Sequence, residues 1–174
     1  MDLIASFHSH KIKKFHFFSL SGLSTKGRDI VFLFDTGAVC PVIGVNCLFP
    51  KDDNSAHHNK RESFEKLLRE ELKTQNIGTR PRPLKAANNQ EVTTYPCVCR
   101  DVSISNAGTM DFYFDISFDD ISIPLLGSSF IDDCAYTHSI AGSLNITGIK
   151  DSAGKDFYTG MNVLDFNRVM ERFK

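Results

Sequence analysis

The sequence lacks the features that mark several large classes of protein. Its net charge is −1, so overall charge gives no support to binding of nucleic acid or of a membrane surface. Lysine and arginine do not cluster on any one predicted element. No apolar run approaches the roughly 18 residues of a membrane span. The first residues, MDLIASFHSHKIKKFHFF, have no uninterrupted apolar segment typical of a signal peptide. We therefore predict neither a membrane nor a nucleic-acid partner.

A disulfide framework is also missing. The chain has five cysteines, an odd number, and only Cys97 and Cys99 are closely spaced. Such usage is typical of a reducing compartment, so we predict a cytoplasmic protein. Cys40 and Cys47 are predicted to be core thiols, because no histidine or asparagine context suggests a Cys–His nucleophile.

Clusters of histidine and cysteine leave metal binding as an alternative. They are HSH at 8–10, HH at 57–58 and CVC at 97–99. In a strand, Cys97 and Cys99 would share a face and could both bind one metal. No C-x-x-C or H-x-x-x-H spacing supports a site, so we predict no metal and no cofactor. We expect four histidines to lie on solvated segments: His8, His10, His57 and His58.

Composition and patterning favour a single, mainly β domain. The chain has 174 residues, of which 41% are hydrophobic, enough for one core. Residues 13–20 and 28–35 read as two strands of a hairpin around glycines. Further strands are predicted within 91–105, 109–118, 121–126 and 142–149, and a short helical turn at 127–134.

Two helical segments interrupt or extend this β pattern. Residues 51–83 form a predicted helical insertion, polar at 51–60 and then a helix over 61–73. One stripe of that helix is apolar: Phe64, Leu67, Leu68 and Leu72. The C-terminal extension, 148–174, is predicted to end in a helix over 162–173 with Asn162 as its N-cap.

One motif points to chemistry. In FLFDTGA, residues 32–38, an apolar strand runs into an aspartate and a turn. A carboxylate at the end of a buried strand is costly unless it is paired, hydrogen-bonded or shares a proton. Downstream lies IPLLGSSF, residues 123–130. Between the two, Asn88-Asn89 separates two extended segments and predicts a hairpin tip, because asparagine tolerates positive φ.

FLFDTGA and PLLGSSF, in this order and spacing, resemble the retropepsin-like aspartic proteases. The resemblance covers about residues 14–147 and implies a closed β-barrel, the acid protease fold. It implies that Asp35 is the catalytic carboxylate, that the Thr36 hydroxyl locks two active-site loops together, and that Gly37 lets the backbone approach substrate. The remaining implied site residues are Ala38 in the active-site loop, Leu125, Leu126 and Gly127 behind it, and a flap tip of Ala87, Asn88, Asn89 and Gln90.

The implied reaction needs two carboxylates. Two carboxylates a few ångströms apart share one proton; the charged one activates a water and the protonated one polarises the scissile carbonyl. This chain has a single Asp-Thr-Gly, and DSAG at 151–154 lacks the required order and reads as a turn. The resemblance therefore implies a homodimeric aspartic endopeptidase, with Asp35 of a second copy completing the pair and a peptide or protein as substrate.

Three departures from the family pattern keep other hypotheses open. The flap tip has no glycine, the segment 51–83 is longer than its family counterpart, and the tail 148–174 exceeds a terminal strand. One alternative is a catalytically weak or inactive retropepsin-like module that dimerises or binds peptides. Another is an unrelated β-protein in which Asp-Thr-Gly occurs by chance.

Overall fold

The structure is a computed structural model that describes most of the chain. The described residues are 5–12, 15–21, 30–33, 38–49, 55–85, 89–104, 108–138, 144–150 and 153–173.

The described part of the chain consists of strands and four short to medium helices. The strands are β1 Ala5–Ile12, β2 Phe15–Ser21, β3 Ile30–Leu33, β4 Val42–Gly44, β5 Leu84–Lys85, β6 Glu91–Val92, β7 Tyr95–Ile104, β8 Gly108–Ser117, β9 Cys134–His138, β10 Leu144–Ile149 and β11 Leu164–Asp165. The helices are α1 Val45–Leu48, α2 Ser55–Thr74, α3 Ser128–Ile131 and α4 Phe166–Phe173, with a 3-10 helix at Lys155–Tyr158.

A mixed seven-stranded sheet forms the centre of the molecule. Its order is β3-β2-β1-β7-β8-β4, and β11 also pairs with β7. The pairs β1–β2, β2–β3 and β7–β8 are antiparallel. The pairs β1–β7, β11–β7 and β4–β8 are parallel. The hairpin predicted from residues 13–20 and 28–35 is the β2–β3 pair. Over the described residues this path is open, so closure into a barrel stays a prediction.

Strands β7 and β8 supply much of the hydrophobic core, because every second side chain of a strand lies on the same face of the sheet. On β8, Phe112, Phe114 and Ile116 are fully buried, and on β7 Cys97 and Cys99 are equally buried. The two thiols do share a face, as expected, but that face is the hydrophobic core. Among the described residues, no group of three potential metal ligands is found.

Helix α2 packs against this core through the stripe identified in the sequence. Phe64 and Leu68 are fully buried, and the Phe64 ring contacts Phe49, Phe166 and Phe173. The helix begins at Ser55, so the expected polar loop over 51–60 is wrong from residue 55 onwards. Its first turns, including positions 57 and 58, are polar apart from Ala56, and polarity alone did not distinguish a helix end from a loop.

The C-terminal helix starts later than expected. Leu164 and Asp165 form strand β11 on β7, and α4 begins at Phe166. Asn162 is therefore not the N-cap; its side-chain amide donates to the carbonyl of Asn76 at 3.1 Å. The capping acceptor is Asp165, whose Oδ1 receives the backbone N–H of Arg168 at 3.4 Å, the geometry of an N-cap carboxylate.

Strands β1, β4, β9 and β11 were not predicted from the sequence, and β1 and β9 are the longest of them. Residues 5–12, whose histidines we expected on a solvated segment, form β1 between β2 and β7, and Cys134–His138 forms β9 against β10. Both segments mix polar and apolar residues without strict alternation, so local sequence does not mark them as strands. No helix in the described part of the chain is both long and apolar enough to cross a bilayer.

Candidate active site

The structure describes part of the predicted site. Asp35, Thr36 and Gly37 lie outside the described residues, as do Ala87 and Asn88 of the predicted flap tip. Ala38, which directly follows Asp-Thr-Gly, is described, and so are Asn89 and Gln90 and the segment Leu125–Gly127. The surroundings of the aspartate, rather than its carboxylate, therefore define the site geometry.

The loop that leaves Asp-Thr-Gly is fastened to the PLLGSS segment by backbone hydrogen bonds. The carbonyls of Ala38 and Val39 accept from the amides of Ser128 and Ser129, at 2.7 and 3.0 Å. The amide of Val42 donates to the carbonyl of Leu125 at 3.2 Å. Two stretches more than 80 positions apart in the sequence are thereby joined.

Gly127 makes this joint possible. Its φ is +79°, a conformation that side chains strain, and a Cβ at this position would lie 2.5 Å from the carbonyl carbon of Cys40. The obstacle is backbone, so it cannot move aside cheaply. Leu126 beside it is fully buried in the core, whereas Leu125 is partly exposed. Gly127 thus lies directly behind the loop that follows the aspartate.

A short β-hairpin stands opposite this loop. Leu84 pairs with Val92 and Lys85 with Glu91, so the turn between them contains the predicted tip. Asn89 has a φ of +64°, the left-handed conformation expected at a tip that has no glycine. Asn89 and Gln90 are both solvent-exposed.

An apolar cavity of about 190 Å³ lies between the loop and the hairpin. Three segments supply its walls: the loop after Asp-Thr-Gly, the hairpin, and the segment that starts at Ile121. The lining residues are Ala38, Val39, Cys40, Val42, Leu84, Lys85, Val92, Ile121, Ser122, Ile123 and Leu125. Val39 and Ile123 on these walls are 52% and 47% exposed, the large apolar side chains with the greatest exposure in the described part of the chain. A pocket that holds a drug-sized ligand is usually about 300–1,000 Å³, so this one fits about one apolar side chain.

Asn46 holds the third wall in place. Its side-chain amide donates to the carbonyl of Ile121 at 2.9 Å, and its Oδ1 accepts the Ile121 N–H at 3.0 Å. This paired contact fixes the segment at Ile121, and the antiparallel pairing of Leu125 with Val42 fixes its other end. Gly44 leaves room for this contact, because a Cβ there would lie 2.1 Å from the Asn46 oxygen and displace it.

Beneath the cavity lies a buried polar cluster that the sequence did not reveal. Asp115 of β8 is fully buried and accepts hydrogen bonds from Arg80 and Thr94. In the sequence Asp115 resembles Asp111, since both belong to the polar positions of an alternating strand. Only Asp115 is covered, because residues from the far end of the insertion and from the hairpin pack over it.

The electrostatics of the cluster keep its thiol neutral. Burial raises the pKa of Cys40 to about 12, with a further contribution from the charge of Asp115. A neutral thiol is a poor nucleophile, so Cys40 is suited to packing. Burial works against the charge on Arg80, but hydrogen bonds from it to Asp115 outweigh that effect and raise its pKa.

In comparisons with known proteins, no family model, no curated protein and no solved structure matches the chain. A function for the chain has to be inferred from the site itself.

Proposed function

We propose that the chain is a homodimeric aspartic endopeptidase of retropepsin type. The observation that carries the proposal is the apolar cavity, which is bounded on one side by the residues directly after Asp-Thr-Gly and on the other by a hairpin. A peptide substrate needs this combination: a place for a side chain next to the reacting carboxylate, and an element that covers the backbone.

The joint behind the loop supports the same proposal. The hydrogen bonds of Ala38 and Val39 to the N-terminus of α3, and the close approach of Gly127 to Cys40, fix the loop from behind. A loop that carries a catalytic carboxylate has to be held in this way, because small displacements of a reacting group cost much of its activity.

In the proposed mechanism Asp35 of one copy faces Asp35 of a second copy, and the pair shares one proton. The charged carboxylate takes a proton from a water molecule, which attacks the scissile carbonyl. The protonated carboxyl donates a hydrogen bond to the carbonyl oxygen, where negative charge develops. The cavity beside Ala38 receives an apolar side chain of the substrate and so orients the bond that is cleaved.

The proposed location is cytoplasmic. Cys40, Cys47, Cys97 and Cys99 are all free thiols, and Cys97 and Cys99 lie in the core. Unpaired cysteines at these positions suit a reducing compartment.

The decisive experiment replaces Asp35 by asparagine, which cannot share a proton. Asp35→Asn should lower cleavage of an unstructured protein substrate by several orders of magnitude and leave a folded dimer. The matched control is Asp156→Asn, at an exposed aspartate of the 3-10 helix, which should retain wild-type activity. Wild-type turnover by Asp35→Asn would refute the protease.

The glycine-free tip AANNQE favours a second candidate, a retropepsin-like module that binds peptides without turnover. At this tip Asn89 has a positive φ, a conformation that glycine adopts with less strain. A wild-type chain that binds a non-hydrolysable peptide isostere but cleaves no peptide would establish this function in place of the protease.

A further inference from the structure

The buried cluster beneath the cavity is centred on a two-point ion pair. Arg80 donates to both oxygens of Asp115, from Nε and Nη2, each at 2.6 Å. The side chain of Asp115 is fully buried and that of Arg80 is 5% exposed. Such forked contacts fix orientation as well as distance, because both groups are planar.

The carboxylate of Asp115 also reaches the hairpin side of the cavity. The hydroxyl of Thr94, two residues beyond strand β6, donates to Oδ2 at 2.6 Å. The backbone N–H of Arg80 donates to the carbonyl of Thr94 at 3.0 Å, so Thr94 contacts both members of the ion pair. The base of the hairpin is therefore tied to Asp115 through a side chain and to Arg80 through the backbone.

The opposite side of the cavity is tied to the same residue. The backbone N–H of Asp115 donates to the carbonyl of Pro41 at 2.8 Å, and the Cys40 sulfur lies 3.9 Å from Oδ1. Cys40 and Pro41 belong to the loop that leaves Asp-Thr-Gly. A single residue of β8 thus contacts both the base of the hairpin and the loop opposite it.

The C-terminal extension covers the ion pair. The guanidinium carbon of Arg80 lies 4.5 Å from the ring centre of Phe157 and 4.8 Å from that of Tyr158. These contacts exclude water and favour the cation. A buried ion pair adds little stability compared with apolar residues of similar volume. The contribution of this pair is therefore to fix the direction of the groups it joins rather than to strengthen the fold.

We propose that Asp115 and Arg80 are positioning residues that hold the base of the β5–β6 hairpin at a fixed separation from the loop after Asp-Thr-Gly. The inference rests on the proposed function where it treats the hairpin as the cover of a substrate site. The tie itself is a property of the fold that can be measured without any substrate.

The first test removes the tie to the hairpin and leaves the ion pair intact. Thr94→Val replaces the hydroxyl by a methyl group of similar size. Amide hydrogen exchange of peptides covering 84–92 should become about tenfold faster, as expected for loss of one hydrogen bond to a charged group, and exchange of β7 and β8 should not change. The control is Thr93→Val, at the exposed neighbour, which should leave exchange at 84–92 unaltered.

A second variant tests the pair itself. A single substitution of Asp115 or Arg80 leaves a buried charge unpaired and is prone to unfold the chain. The double variant Asp115→Leu with Arg80→Met removes both charges and keeps the volume. We expect it to fold and to show the same faster exchange at 84–92 as Thr94→Val. Wild-type exchange at 84–92 in both folded variants would overturn the proposal.

Kinetics separate positioning from a general loss of structure. With a peptide that the wild type cleaves, Thr94→Val should raise KM several-fold and leave the pH profile unchanged, because Asp115 does not react. A lower kcat with unchanged KM would indicate only fewer active molecules and would count against positioning. If the wild type cleaves nothing, the proposed protease fails, and the exchange measurements alone decide the role of the tie.

Discussion

At the scale of single residues, Gly127 offers the sharpest test of how the site is joined. Gly127→Ala should destabilise the chain by about 2–4 kcal/mol, because alanine is strained at positive φ and its Cβ would overlap the Cys40 backbone. The measurement is urea unfolding. The control is Gly78→Ala: nothing lies within 4 Å of a Cβ there, so stability should change by no more than about 0.5 kcal/mol. Equal stability of the two variants would contradict the close approach.

Ala38 is expected to set the pH range of the proposed reaction. Alanine cannot donate a hydrogen bond to the carboxylate pair, so the shared proton should be held to weakly acidic or near-neutral pH. A serine hydroxyl would favour the charged form and lower the apparent pKa of the pair. Ala38→Ser should therefore shift the bell-shaped rate profile toward acid.

The control for Ala38→Ser is Ser122→Ala, at an exposed position on another wall of the same cavity. It changes a hydroxyl without placing one after Asp-Thr-Gly, so the profile should not move. If Ala38→Ser also leaves the profile unmoved, the protease stands and the hydrogen-bond explanation of its pH range is wrong.

Contacts between residues of recognisable motifs were predictable, and contacts of residues outside any motif were not. The approach of Gly127 to the loop was implied by two motifs whose letters carry the resemblance. Asp115 carried no such signal, since burial of one aspartate rather than another on β8 depends on Arg80 and Thr94, which the sequence does not place nearby. Asn46 was missed for the same reason, because its partner Ile121 lies in a different segment.

At the scale of elements, helices α2 and α4 are joined by a buried carboxylate. Glu71 of α2 is fully buried and contacts Arg172 and Arg168 of α4, the latter at 3.3 Å, and accepts from Gln75 at 2.7 Å. Burial raises the pKa of Glu71, but the hydrogen bonds and the arginine charges outweigh burial and lower it.

The lowered pKa of Glu71 predicts the pH dependence of stability. A carboxyl group whose folded pKa lies below its unfolded value stabilises the fold above the unfolded value, about 4.3 for glutamate. This contribution is lost as pH falls through the folded pKa. Unfolding free energy measured from pH 7 downwards should therefore contain a decrease, starting near the unfolded value, that Glu71→Gln no longer shows.

At neutral pH Glu71→Gln should cost about 1–2 kcal/mol, less than a fully buried pair, because both arginines remain half exposed to water. The control is Glu70→Gln, at the adjacent half-exposed carboxylate that lies 3.7 Å from Arg172. It should change stability by at most about 0.5 kcal/mol. Similar losses in both variants would show that burial of Glu71 has no special effect.

Elements with strong periodicity were recovered from the sequence, and short ones were not. The stripe of α2 and the alternation of β8 follow from burial of one face, which local sequence records. Strand β11 is two residues long and exists only because β7 offers an edge beside Cys97. Its pairing delays the start of α4, which intrinsic helix preference alone would place earlier.

At the scale of the whole molecule, the single Asp-Thr-Gly predicts a dimer. Sedimentation at micromolar concentration should show a species of twice the 19.5 kDa chain mass. Asp35→Asn should sediment in the same way, because the substitution removes a shared proton and not an interface. A strict monomer that still cleaves peptides would contradict a catalytic pair made from two copies.

Strand β7 pairs in parallel with β1 near Ala5 and with β11 near Leu164, on either side of an irregularity between Cys99 and Val102. These contacts join regions far apart along the chain. A large loop must therefore close, at a cost in entropy, before either pairing stabilises the fold. High contact order slows folding, and we expect milliseconds to seconds rather than microseconds. During synthesis, β1 emerges long before β7, its parallel neighbour. The edge of β1 that later pairs with β7 is therefore exposed early, and we expect chaperones to act on it.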